Sequence, residues 1–118
     1  MKMSTNRVQI VVTVPALHLN DVLEAMAAAG AGVVGDYTHC SYRNVGTGRF
    51  KPGANANPAI GENERITEVE EYRIETVCDR GRVYAVCKAI RAAHPYEEPL
   101  IYLFPLLDET DFNEFMES

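Results

Sequence analysis

His94-Pro95-Tyr96-Glu97-Glu98-Pro99, followed by the apolar run Leu100–Leu107, is where this sequence turns from a helix to a strand. Upstream, Val83, Val86, Cys87 and Ile90 recur at helical spacing and Ala93 continues the stripe. The residue before a proline is pushed out of the helical region, so a helix over Arg80–Ala93 has to stop at His94. Downstream, Leu100–Phe104 reads as a strand apolar on both faces, with Leu100, Tyr102 and Phe104 on one and Ile101 and Leu103 on the other. Pro105 is expected to close it. Two prolines therefore bracket a hinge carrying one imidazole, one phenol and two carboxylates.

The layout is mirrored toward the N-terminus, without an internal sequence repeat. In Val8–Val14, Val8, Ile10, Val12 and Val14 share one face of a strand, which Pro15 ends. Leu19, Val22, Leu23, Met26 and Ala27 form the stripe of a helix over Ala16–Ala29, stopped by Gly30. Alternation places a second strand at Asp36–Arg43, with Tyr37, His39 and Ser41 opposite Thr38, Cys40 and Tyr42. Asn44 and Gly46 suggest a turn, Thr47–Lys51 a short hairpin arm, and Pro52–Asn63 a loop with Ile60 as its anchor. A third strand follows at Ile66–Val77, with Tyr72, Ile74 and Thr76 on one face and Arg73, Glu75 and Val77 on the other. Val69 is out of phase with the Tyr72 set, which a bulge near Glu70-Glu71 would repair. Asp79 is placed to cap the second helix.

The order strand, helix, strand, strand, helix, strand predicts an α+β fold, a ferredoxin-like βαββαβ sandwich whose antiparallel sheet carries both helices on one face. This domain takes residues 1–107. An acidic C-terminal tail, 108–118, follows, with Phe112, Phe115 and Met116 as a docked turn. Val11, Ile101 and Leu103 are expected on the uncovered side, and bare apolar surface of that kind meets another subunit. A chain of 118 residues with 47% hydrophobic residues supports one core without staples. The net charge of −6 excludes the basic face that nucleic acid requires. Three cysteines without a CxxC pair read as reduced thiols of a cytoplasmic protein. Neither a signal peptide nor a membrane-length apolar run is seen.

One ordered series of residues carries a resemblance: Gly30-Ala31-Gly32, Gly35, Tyr37, Cys40-Ser41-Tyr42, Gly46, Gly48-Arg49-Phe50, Pro52, Asn57-Pro58, Gly61, Glu71, Arg73-Ile74-Glu75 and His94-Pro95-Tyr96-Glu97-Glu98. From about Val8 to Leu106 the chain resembles the middle domain of the YqfO-type, Nif-three-like family, here read as standing alone. The resemblance implies a PII-like and CutA-like fold and a trimer or dimer of such domains. It also implies flanking metal-binding lobes that this chain lacks, so no hydrolase-like activity carries over. A non-catalytic, regulatory or small-ligand-binding domain without an established ligand is what it leaves.

Several side chains could carry chemistry. His94, Glu97 and Glu98, with His39 or Cys40, have the donor types of a divalent-metal site, which would make this a CutA-like ion-tolerance protein. The structural alternative has His94 capping its helix, the two glutamates bonding backbone amides or Arg73, and Cys40 filling core space. The glycines at 30–35 and 46–48 could cradle an anion with the loop Pro52–Asn63 as cover, or could only permit turns; no GxGxxG opens a helix and no Walker lysine is present. Arg73 could pair with Glu97 of a neighbouring copy. Tyr96 is either a pocket residue or a ring packed over the hinge with its hydroxyl bonded. A Cys40–His94 nucleophile pair lacks an orienting third group and no serine sits in a nucleophile elbow. An enzyme is therefore not expected, a small metal-dependent hydrolase being the third reading.

Overall fold

The computed structural model describes residues 6–112. In chain order these form β1 (Arg7–Pro15), α1 (Leu19–Ala28), β2 (Tyr42–Phe50), β3 (Thr67–Asp79), α2 (Val83–Ala93) and β4 (Ile101–Leu106). Each α-helix is preceded by one turn of 3-10 helix, at Ala16–His18 and Arg80–Arg82, and a third such turn lies at Glu109–Phe112. The sheet order is β2-β3-β1-β4 with every pair antiparallel, the ferredoxin-like arrangement expected.

Every second residue of the central strands builds the core. Ile10, Val12 and Val14 of β1 and Ile74 and Cys78 of β3 meet Leu19, Val22 and Met26 of α1 and Val86 and Ile90 of α2. Full burial of a Val, Leu or Ile side chain stabilises by about 1.5–3 kcal/mol, so this layer holds both helices to the sheet.

Five expectations need correcting. The second strand is not Asp36–Arg43 but Tyr42–Phe50, which absorbs the expected turn and arm. The segment before it is folded into turns, with His39 at a φ of 59° and a single bridge between Val34 and Tyr37. There is no bulge at Glu70-Glu71, since β2 and β3 pair without interruption from Tyr42↔Glu75 to Phe50↔Thr67. Val69 therefore lies on the open face beside Glu71 and Arg73. β4 runs through Pro105 to Leu106, which an edge strand tolerates because no outer partner needs the missing N–H. Ile101 and Leu103 stand opposite Val12 and Ile10, so they face the helices; the open face of β4 carries Tyr102, opposite Val11, and Phe104, opposite Gln9. Asp79 precedes the second helix but makes no side-chain cap. Phe115 and Met116 lie outside the described residues.

β3 outruns its neighbour. Its pairing with β1 begins at Glu71, whereas Thr67–Glu70 pairs only with Thr47–Phe50 of β2. The result is a two-stranded arm beyond the sheet. The radius of gyration is 17.0 Å, against about 13 Å for a compact chain of this length. Among the described residues no helix is long and apolar enough to cross a membrane.

Candidate functional site

Where α2 ends, His94 takes an extended conformation, with ψ of 137°, as its position before Pro95 demands. Its side chain then turns back under the sheet. Nε2 lies 2.7 Å from the Thr13 carbonyl oxygen, and Nδ1 receives the Tyr96 backbone N–H at 3.1 Å. A carbonyl can only accept and an N–H can only donate, so the ring is neutral with its proton on Nε2. Thr13 is one residue beyond the last β1–β4 pair, Val12↔Ile101; the imidazole takes up a strand carbonyl where the ladder has run out. Burial pushes the His94 pKa below its ordinary value, against the opposing pull of the Thr13 hydrogen bond and the Glu71 charge.

The next residue but one continues the chain of contacts. The Tyr96 ring packs against His94 at 5.0 Å between centroids and edge-on to Phe50 at 5.6 Å. Its hydroxyl donates to Glu71 Oε2 at 2.7 Å. Burial, then that bond, holds the phenol pKa far above its usual value, so it stays a donor. Glu71 is only 7% exposed. Its position is open because residue 48, beside it on β2, is glycine: a Cβ there would overlap the Glu71 carboxylate.

These groups form one wall of a cavity of about 430 Å³. The arm contributes Gly48 and Phe50, the hinge Tyr96 and Glu97, and the loop after β2 contributes Pro52 and Ile60. The loop is tied down. The Asn57 N–H donates to Glu97 Oε1 at 2.9 Å, and the Asn63 amide donates to the Ala54 and Ala56 carbonyls at 3.0 Å each. Pro95→Ala lifts the bar on helical geometry at His94. It is expected to let α2 run on, draw the imidazole off Thr13 and displace Tyr96–Glu98, with a loss of about 1–2 kcal/mol. Amide chemical shifts of His94 and Tyr96 that match the parent protein would refute this account.

The five metal-ligand candidates are not gathered. His94 uses both ring nitrogens on protein groups, while Glu97 and Glu98 line the cavity. His39 and Cys40 instead border a smaller hollow of about 160 Å³ against α1. His39 Nδ1 lies 2.9 Å from Thr38 Oγ1, its Nε2 3.8 Å from Glu24 Oε2, and the Cys40 thiol 3.8 Å from the Thr38 carbonyl. Among the described residues no three His, Cys, Asp or Glu side chains converge. Arg73 pairs with Glu75 of its own strand. The N–H groups of Gly30, Ala31 and Gly32, candidates for an anion cradle, are spent on the carbonyls of Ala27, Met26 and Val77. Glu71 and Phe50 stand in the series that carries the resemblance, but the sequence alone does not mark them as cavity residues. The available signal was Val69: an unbroken strand puts it in phase with Glu71, marking that face as partly apolar.

No family model matches the chain. A protein of Halalkalibacterium halodurans named GTP cyclohydrolase 1 type 2 homolog is 44% identical over 101 residues, which are 86% of this chain and 27% of that protein. The crystal structure of a Bacillus cereus protein related to NIF3 superposes with a TM-score of 0.73 at 37% identity, covering 89% of this chain and 27% of the other. The chain is a homologue of one segment of the NIF3-related proteins. It spans about a quarter of the length of these relatives. CutA from Synechococcus elongatus, at 12% identity and a TM-score of 0.65, shares the fold over 97% of the chain and 89% of its own length. In this NIF3-related segment the hinge and the arm thus sit on a CutA-like framework.

Proposed function

We propose that this chain is a non-catalytic module that binds a small molecule in the cavity between arm, loop and hinge, and that it works as a homo-oligomer in the cytoplasm. The observation that carries the reading is the Tyr96–Glu71 pair, a buried carboxylate and its donor set in the wall of a cavity otherwise lined largely by Phe50, Pro52, Ile60 and similar side chains. A few fixed polar groups in an apolar concavity are the usual make-up of a ligand site. Against catalysis stands the state of His94. Both its nitrogens are committed to backbone groups, so no free base is left there. An NMR screen with a cocktail of aromatic fragments is expected to shift the backbone amides of Phe50, Ile60 and Tyr96 together. Shifts scattered elsewhere, or none at millimolar fragment, would remove this reading.

Assembly is supported by the open face of the sheet, where the exposed rings of Tyr102 and Phe104 pack edge to face beside the buried Val11. Apolar surface of this kind is usually covered. Light scattering at micromolar concentration is expected to return a multiple of the 13.1 kDa chain mass; a strict monomer counts against assembly but leaves the cavity untouched. The three free cysteines, Cys40, Cys78 and Cys87, suit a reducing compartment.

A further inference from the structure

We propose that the cavity takes an organic cation, a protonated amine on a small apolar or aromatic body; this rests on the cavity being the binding site. Glu71 is the deepest charge in the wall, 7% exposed. One oxygen accepts from Tyr96, while Oε1 has no protein hydrogen bond and is not sealed off, since no fully buried side-chain oxygen lacks a partner among the described residues. A carboxylate can only accept, so an occupant must bring a donor, and a charged donor makes the stronger bond. The basic residues near the cavity do not answer this charge. Lys51 and Arg49 are exposed, and Arg49 faces Glu68 at 3.8 Å with most of its side chain in water. Opposite charges in water are weakly felt, whereas a partly desolvated carboxylate acts at a lower effective dielectric. Phe50 and Tyr96 present aromatic surface beside it, which favours a cation and its apolar body together. Glu97 and Glu98 add negative charge to the lining, and the whole chain carries −6. These carboxylates do not converge as a metal site among the described residues, and so do not supply the six or more oxygens that a bare calcium ion takes.

The test uses three probes of matched shape, benzylammonium, benzyl alcohol and phenylacetate, titrated into the full chain and followed by amide NMR. Benzylammonium is expected to bind about ten- to hundredfold more tightly than benzyl alcohol, and Glu71→Gln is expected to erase that margin, weakening benzylammonium far more than benzyl alcohol. Equal affinity for the two at the cavity, or tighter binding of phenylacetate, overturns the cationic ligand and leaves the binding site standing. No shift at the cavity with any probe removes the site, and the proposal with it. Should Glu71→Gln fail to fold, Tyr96→Phe decides. Freeing Oε2 from its donor should hold or widen the preference for benzylammonium over benzyl alcohol; a fall of that ratio toward one overturns the proposal.

Discussion

Replacing His94 with alanine is expected to lower the free energy of unfolding by about 3 kcal/mol, and to remove the part of the acid sensitivity that this ring contributes. The imidazole joins three elements. It receives the Tyr96 N–H, donates to the Thr13 carbonyl and packs against the Tyr96 ring. Alanine leaves a half-buried acceptor and a half-buried donor without partners and opens a void between the sheet and the hinge. Tyr96 loses its support, and the cavity wall loosens with it. The pH dependence follows from the burial of the ring. The folded pKa lies below the ordinary value of 6.5, so the folded state holds the ring neutral while the unfolded chain takes up a proton as pH falls past that value. The stability from this site is present in full above about pH 6.5, is lost as pH drops through the unfolded pKa, and stops falling below the folded one. Urea unfolding at about pH 7.5 and about pH 5 measures both effects. His94→Gln separates them. A glutamine side chain can donate to Thr13 and accept from Tyr96, so it should restore much of the stability but none of the slope. A steep acid slope in the Gln variant, equal to that of the parent, would overturn the assignment of that slope to His94.

The parts of the molecule that the sequence discloses are those where burial imposes a period. β1, β3 and both helices were placed because one face of each must enter the core. β2 was misplaced because no such constraint acts on it. It is an edge strand with seven of its nine residues exposed, and it contains Asn44, Gly46 and Gly48, residues that ordinarily mark turns. The alternation Tyr37, His39, Ser41 imitated a strand just ahead of it, yet those residues are exposed and the chain there is bent through a left-handed His39. β4 failed differently. Both of its faces are apolar, so only its register with β1 tells which side meets the helices. At the hinge, the spacing of His94, Pro95 and Tyr96 announced a break, and the bonded-hydroxyl reading of Tyr96 matches its contact with Glu71. The partner itself lies 25 residues away on another strand, a pairing that no local pattern can convey.

The glycine at 32 offers the second large effect. Gly32→Ala is expected to cost about 4 kcal/mol, a sizeable share of the 5–15 kcal/mol typical of a domain, and to strip the segment 33–41 from the sheet. The backbone there has a φ of +80°, which costs alanine about 1–2 kcal/mol. The space is also closed, because a Cβ would stand 2.7 Å from the Cys40 carbonyl oxygen and 2.8 Å from the Cys40 nitrogen, backbone atoms that cannot swing aside. What they would have to abandon is a ladder. Gly32 donates to the Val77 carbonyl at 2.7 Å and accepts from the Cys40 N–H at 2.9 Å, and the Cys40 carbonyl in turn accepts from the Thr76 hydroxyl at 2.7 Å. β2 pairs with β3 only as far as Tyr42↔Glu75, so this segment covers the rim of β3 that β2 leaves bare, as edges generally require. Gly35 supplies the comparison. It too has a positive φ, of 56°, but nothing stands within 4 Å of its added Cβ, so Gly35→Ala should cost only the strain, about 1 kcal/mol. Hydrogen exchange at the amides of Gly32 and Cys40 should accelerate in a Gly32→Ala variant and stay near parent rates in Gly35→Ala. Similar losses at the two positions would mean that left-handed strain alone, and not the close approach of Cys40, is what glycine relieves at residue 32.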